Sequence, residues 1–230
     1  MASNYKIRYN VDMAFCIDVT GSMDNIIEIV QNNALNLYQD VKNCMEKKGK
    51  HVDTLRVRII AYRDYLADGA DAMQVTNFFT LPQEADNLRK CVGSLVAKGG
   101  GDDPEDGFEA LGYAIKSKWN NEPGKKRHVI VLWTDDDAHD VGHGKSSPYY
   151  PKGMAADFGE LTDWWGYAAE PGLMDQEAKR LILFAPNMDG WKKVSGKGNW
   201  DKVLHYPSDA GNGLRDVDYN KILSAISQTI

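Results

Sequence analysis

The chain has 230 residues, with 27 Lys and Arg against 33 Asp and Glu, a formal net charge of −6, and 43% apolar and 26% charged residues. That balance describes a single globular domain over 1–230, or a domain with a large insertion, and excludes disordered, collagenous and coiled-coil classes. It also argues against nucleic acid as the main partner, because phosphate binding needs a basic stripe; the densest cationic run, Lys125-Lys126-Arg127, reads as a solvated turn before a strand.

Met13 to Val19 (MAFCIDV) is an apolar run with an acid near its end, the pattern of a strand buried on both faces of a parallel sheet. After Asp24, the segment NIIEIVQNNALNLYQDVKNCMEKKGK is predicted helical. It sets Ile26, Ile27, Val30, Leu37, Val41 and Met45 near helical spacing and closes with cations and Gly49. Arg56 to Tyr62 (RVRIIAY) is the next strand, and Gln74 to Thr80 is a short β-rich run suited to a sheet edge. Pro82 to Ala97 reads as a helix, ended by Gly99-Gly100-Gly101, which tolerate positive φ.

Glu105 to Trp119 is a further helix with Phe108, Leu111, Ala114 and Ile115 on one side. His128 to Thr134 (HVIVLWT) is the strongest strand and again stops at an acid. Arg180 to Ala185 (RLILFA) and Lys202 to Tyr206 (KVLHY) complete the strands, and Tyr219 to Ile230 is a closing amphipathic helix. Between Ala138 and Lys179 lie about 40 residues rich in Gly, Pro and aromatics, too long for an ordinary loop and read as an insertion at about 140–178.

Strands separated by helices imply an α/β fold: a Rossmann-like three-layer sandwich, its central sheet mostly parallel with one antiparallel edge strand. In such sheets ligands bind outside the carboxyl ends of the strands, where Asp18 and Asp135 stand. The cysteines Cys16, Cys44 and Cys91 are odd in number, far apart and without metal spacing, so they read as small hydrophobes in a reducing compartment. The first residues, MASNYKIRYNVDMAF, hold no apolar signal core, and no run of about 18 apolar residues occurs. A cytoplasmic protein with no membrane association is expected.

Asp18-Val19-Thr20-Gly21-Ser22-Met23 places a carboxylate and two hydroxyls at alternate positions on a tight loop, able to converge three oxygens on one point. Hard oxygen ligands of this kind suit Mg²⁺. The competing reading has Ser22 capping the following helix and Asp18 satisfying loop amides. Two more acidic loops follow at the same expected rim, GGGDDPEDGFEAL (Gly99 to Leu111) and TDDDAHD (Thr134 to Asp140).

Together these three segments resemble a von Willebrand factor A domain carrying a metal-ion-dependent adhesion site. The family's first motif, Asp-x-Ser/Thr-x-Ser, matches Asp18, Thr20 and Ser22; its last, an apolar strand ending Thr-Asp, matches Thr134-Asp135. The middle stretch, Asp102-Asp103-Pro104-Glu105 followed by Gly107-Phe108-Glu109-Ala110, resembles the one found in the A domains of integrin β chains. The resemblance implies metal ligands Asp18, Thr20, Ser22, Glu105 and Asp135, with Asp135 often acting through water and Asp102 as an adjacent supporting group.

A second likeness is to A domains associated with α-kinases, which share Asp-x-Thr-Gly-Ser-Met, then Tyr-Arg-Asp at the next strand end, then Gly-Gly-Asp. Tyr62-Arg63-Asp64 fits that pattern. Arg63 and Asp64 read as a clamp orienting the loop after Asp18, or as a simple surface ion pair, and Tyr62 as packing. This length leaves no room for a kinase domain, so only the A domain carries over. The likeness spans about residues 10 to 187 and the final helix.

The resemblance implies a protein-binding adaptor, not an enzyme. Its Mg²⁺, with Mn²⁺ or Ca²⁺ as substitutes, keeps one position open for an Asp or Glu of a partner protein. Intracellular A domains serve as scaffolds beside ATPases, kinases and phosphatases, including in bacterial stress and phage-defence systems. Tyr149, Tyr150, Trp164 and Trp165 offer a partner surface, although the Trp pair also suits core packing. The alternatives are a Mg²⁺-dependent phosphohydrolase with Asp18 as nucleophile, or a structural protein with a vestigial site. Against the first, Thr20 stands where a haloacid-dehalogenase-like enzyme needs a second Asp.

His139-x-x-x-His143 beside Asp140 has ligand types, but its Gly-containing loop argues against zinc. Gly144-Lys145-Ser146 resembles the tail of a phosphate loop, yet His139 stands where that loop requires its first Gly.

Overall fold

The computed structural model describes residues 7–101, 103–167 and 169–230. In chain order its elements are β1 (Ile7–Asp18), α1 (Asp24–Asn33), α2 (Leu37–Lys47), β2 (Lys50–Tyr62), β3 (Met73–Val75), β4 (Phe79–Leu81), α3 (Ala85–Gly93), α4 (Gly107–Ile115), β5 (Lys125–Trp133), α5 (Phe158–Trp165), β6 (Lys179–Pro186), α6 (Asp189–Ser195), β7 (Val203–Ser208) and α7 (Tyr219–Thr229). Along β1, Val11, Met13, Phe15 and Ile17 face one hydrophobic cluster, while Ala14 and Cys16 face another. Period-2 alternation with both faces apolar obliges a sheet covered on both sides.

The sheet has strand order β3-β2-β1-β5-β6-β7, with β4 also paired to β2. β1, β2, β5, β6 and β7 run parallel, while β3 and β4 lie antiparallel against β2. Helices α1, α2, α3 and α7 cover one face and α4, α5 and α6 the other. This is the three-layer, Rossmann-like sandwich that the alternation predicts. The antiparallel edge is split into two short strands. β1 is flanked by β2 on one side and β5 on the other, so strand order reverses there and the carboxyl ends of β1 and β5 border the switch point.

Aromatic packing fixes the strands beneath that point. Trp133, at the end of β5, meets Phe15 edge-on at 5.1 Å and stacks on Phe184 of β6 at 6.2 Å. Such pairs add about 1 kcal/mol beyond their buried area.

Several boundaries differ from the sequence reading, each for a local reason. The long helical segment is two helices, because Asn33 turns its side-chain amide onto the Ile29 carbonyl at 2.8 Å and the Asn36 amide closes a turn on Asn33 at 3.1 Å. α3 stops at Gly93, since the chain beyond it runs to the sheet end, where the Lys98 amide donates to the Val19 carbonyl at 3.0 Å. Glu105 precedes α4 and forms a parallel bridge with Ala138. Lys125, Lys126 and Arg127 are not a turn: they begin β5 and pair with Tyr9 to Val11 of β1. Among the described residues, no helix is long and apolar enough to cross a membrane. All three cysteines are free thiols, with Cys16 buried.

Candidate metal centre

Asp18 ends β1, fully buried, with both carboxylate oxygens engaged. Oδ1 accepts the Thr20 amide at 2.9 Å and its hydroxyl at 2.7 Å, and Oδ2 accepts the Thr134 hydroxyl at 2.8 Å. The Met23 amide closes the turn on the Thr20 carbonyl at 3.1 Å, which lifts Ser22 toward β5. There Ser22 Oγ donates to Asp135 Oδ1 at 2.8 Å, and the Gly213 amide donates to Asp135 Oδ2 at 2.8 Å.

Glu105 reaches the same place from a third segment. Its amide donates to the Asp137 carbonyl at 3.2 Å, and its carbonyl accepts the His139 amide at 2.9 Å. The side chain is buried, and among the described residues Oε2 has no hydrogen-bond partner. Gly100 closes over it with φ +88°, and a Cβ there would stand 2.7 Å from Glu105 Oε1 and 3.2 Å from Thr20 Cγ2. Only glycine permits that conformation and approach together. The resulting cleft is lined by Thr20, Ser22, Gly100, Asp103, Glu105, Asp135 and Asp136, with Asp18 behind it.

The electrostatics are those of too many carboxylates in too little water. Burial, opposed by the Thr20 and Thr134 hydrogen bonds and reinforced by the Asp135 charge, lifts the Asp18 carboxyl from 3.8 to about 6. That shift makes ionising Asp18 cost about 3 kcal/mol more than in water. Burial, and then the charges of Asp18, Asp64, Asp68 and Asp106, push Glu105 up to about 10. A proton or a cation relieves such a cluster. Oxygen donors from three segments line the cleft, with one buried Glu105 oxygen unpartnered among the described residues, a donor set suited to a hard divalent cation.

Arg63, nearly buried, ties the surrounding loops together. Its Nε donates to the carbonyls of Val19 at 3.2 Å and Lys98 at 2.7 Å, Nη1 to Asp71 at 2.8 Å and Nη2 to Val96 at 2.9 Å. Asp64 is directed elsewhere: Oδ1 accepts the amides of Leu66 and Ala67, and Oδ2 lies 3.0 Å from His139 Nε2. Burial raises its carboxyl, but those amides and His139 outweigh burial and hold it below the usual range. Asp64, His139 and His143 together bring one ligand atom each within 4.8 Å of one another, a second candidate site for a divalent cation.

Tyr62 is buried, its hydroxyl donating to the Trp133 carbonyl at 3.3 Å. Asp102 lies outside the described residues. Asp140 pairs with Lys193 and also feels the charges of His139 and His143. Of the two readings of the Trp pair, Trp165 takes core packing and offers no partner surface: it is fully buried, stacks on Trp200 at 5.1 Å and donates from Nε1 to the Asp201 carbonyl at 3.2 Å. Of the other three aromatics, Trp164 and Tyr150 are half-buried and Tyr149 is exposed. Sequence reasoning passed over the roles of Thr134 and Gly213. A Thr immediately before the strand-end acid was the visible signal for the first.

No family model matches the chain. A curated relative, alpha-protein kinase vwkA of Dictyostelium discoideum, is 28% identical over 143 residues, which is 62% of this chain and 21% of the relative. The chain thus spans about a fifth of that relative's length. Two solved structures align with the chain. The pilus adhesin SpaC from Lactobacillus rhamnosus GG aligns with a TM-score of 0.49 and 12% identity, over 95% of this chain and 30% of that one. Proximal thread matrix protein 1 of the mussel byssus aligns at 0.46 and 13%, over 94% and 46%. The chain is a Rossmann-like α/β protein distantly related to a segment of an α-kinase.

Proposed function

We propose that this protein is a divalent-metal-dependent protein-binding adaptor of the von Willebrand factor A type. One observation supports the reading: Ser22, Glu105 and Asp135, from three segments, line one cleft at the switch point, and among the described residues Glu105 keeps a buried carboxylate oxygen without a partner. Ser22, Asp135 and Glu105 would hold Mg²⁺, with Mn²⁺ or Ca²⁺ as alternatives. Thr20 and Thr134 fix Asp18 behind them. The ion supplies positive charge and a coordination position open to a partner's Asp or Glu.

Binding rather than turnover is proposed because Asp18, the strand-end acid placed for nucleophilic attack, is fully buried with both oxygens hydrogen-bonded. Thr20, two positions on, spends its hydroxyl on Asp18 instead of serving as an acid. The unpaired thiols suit the cytoplasm. The chain matches only about a fifth of the α-kinase, and no kinase activity is carried over from it. A pull-down with wild-type and Asp18→Ala bait, in Mg²⁺ and in chelator, tests this: a partner retained only by wild-type in Mg²⁺ is expected. Hydrolysis of an aryl phosphate, lost in Asp18→Asn, would replace the reading with a phosphatase.

A further inference from the structure

We propose that Asp64, His139 and His143 form a second metal site, one for a borderline transition ion such as Zn²⁺, separate from the oxygen cleft at Ser22 and Asp135. The three residues come from two loops and offer two imidazoles and a carboxylate, with one ligand atom from each within 4.8 Å of the others. Imidazole suits zinc, and hard ions such as Mg²⁺ and Ca²⁺ take oxygen instead, so the chemistry of this set differs from that of the cleft.

The site is built rather than accidental. Asp64 is buried, and its Oδ1 is held by two backbone amides, which aims Oδ2 at His139 Nε2, 3.0 Å away. His139 is nearly buried, and the His143 ring stacks on it with centroids 3.8 Å apart and planes 9° apart. What folds His143 back is a turn: its amide donates to the Asp140 carbonyl at 2.9 Å, with Gly142 at φ 89° and ψ 6°. Those angles are the ones required at the third residue of a type II turn, which favours glycine there. The Gly142 amide is in turn anchored on Glu109 Oε1 at 2.8 Å. The glycine that reads as a loop breaker in the sequence is what brings the two imidazoles together.

Ligands of a tetrahedral zinc stand about 3.3 Å apart, given metal distances of about 2.0–2.2 Å. A metal lies in the plane of each imidazole that binds it, so reaching that spacing requires the exposed His143 ring to swing out of its stack on His139 as well as to close in. Three protein ligands would leave the fourth position of a tetrahedral ion to water or another ligand.

The test dialyses wild-type, Asp18→Ala, His143→Ala and Asp64→Asn protein against Zn²⁺ with Mg²⁺ in excess, then measures bound zinc by mass spectrometry. Co²⁺ absorption serves as a ligand-field readout. One zinc per chain is expected in wild-type and in Asp18→Ala, with tetrahedral Co²⁺ bands in both. His143→Ala and Asp64→Asn should weaken binding beyond the ~10–100-fold that losing a supporting group costs. His143 is exposed, so its variant folds. Wild-type protein that retains no zinc would overturn the proposal. So would equal retention by His143→Ala, which would place the zinc away from His143, His51 with Glu46 and Asp53 being one other histidine beside carboxylates. Loss of zinc in Asp18→Ala alone would also overturn it, by assigning the ion to the oxygen cleft.

Discussion

Ser22 and Asp135 stand 113 positions apart in the chain, and a 2.8 Å hydrogen bond from Ser22 Oγ to Asp135 Oδ1 joins them across the switch point between β1 and β5. The pair gathers a hydroxyl oxygen and a carboxylate on one wall of the cleft that Glu105 faces. Ser22→Ala removes one part-buried hydrogen bond, worth about 1 kcal/mol or less of stability. It should nevertheless abolish most of the rise in melting temperature that Mg²⁺ gives wild-type protein. An unchanged Mg²⁺ response in Ser22→Ala would remove this hydroxyl from the ion's shell.

The raised carboxyls give a signed pH dependence. Asp18 moves from 3.8 to about 6 and Glu105 from 4.5 to about 10 on folding. A group whose folded value is raised contributes stability that is full below its unfolded value and lost as pH climbs through the folded one. Metal-free protein should therefore lose stability from these two groups progressively from about pH 4 to 10. Comparing wild-type with Glu105→Gln in chelator isolates the larger share. Glu105→Gln should flatten the decline, and Mg²⁺ should stabilise wild-type more at about pH 8 than at about pH 5. Superimposable pH profiles of the two proteins would contradict the assignment.

Arg63 holds the carbonyls of Val19, Lys98, Asp71 and Val96 with one guanidinium. Arg63→Lys keeps the charge but cannot fork to four acceptors. A loss of about 2–4 kcal/mol in urea denaturation is expected, together with weaker Mg²⁺ binding, because the loop after Asp18 loses its anchor. Normal Mg²⁺ affinity in the variant would make Arg63 a stability residue alone.

Trp165 and Tyr149 belong to the same aromatic-rich segment yet should behave oppositely. Trp165→Ala opens a cavity beneath α5 and should cost about 3–5 kcal/mol. Tyr149, 58% exposed, should change stability by no more than about 0.5 kcal/mol when replaced by Ala. Any partner surface in this segment is thus tested by Tyr149→Ala in the pull-down, whereas deleting residues 147–170 would strip Leu161 and Trp165 from the core.

The sheet was legible because its strands are apolar on both faces and end in acids, and strand ends at a switch point must meet. That is why Asp135 could be grouped with Asp18 and Ser22, more than a hundred positions earlier, from strand-end placement together with the family resemblance. Helix boundaries were less legible where side chains compete with the backbone, as Asn33 does, or where a loop is claimed by a distant group, as Arg63 claims Val96 and Lys98. Glu105 belongs to a helical pattern in sequence but is pulled into a bridge by Asp137 and His139. His139 and His143 were visible as a pair, but Asp64 as their carboxylate was hidden, because it lies 75 positions before His139 and the turn that joins the two rings depends on a positive φ at Gly142.

The central claim is that the cleft at Ser22, Glu105 and Asp135 binds a divalent ion and leaves it accessible to a partner carboxylate. Mn²⁺ tests it most directly, since the paramagnetism of the bound ion reports both occupancy and its exchangeable water through proton relaxation. The expected result is one Mn²⁺ per chain in His143→Ala protein, competed by Mg²⁺, absent in Asp135→Ala, and with its relaxation enhancement reduced by an Asp- or Glu-bearing peptide. No bound Mn²⁺ at millimolar concentration, or binding that survives Asp135→Ala unchanged, would contradict the account.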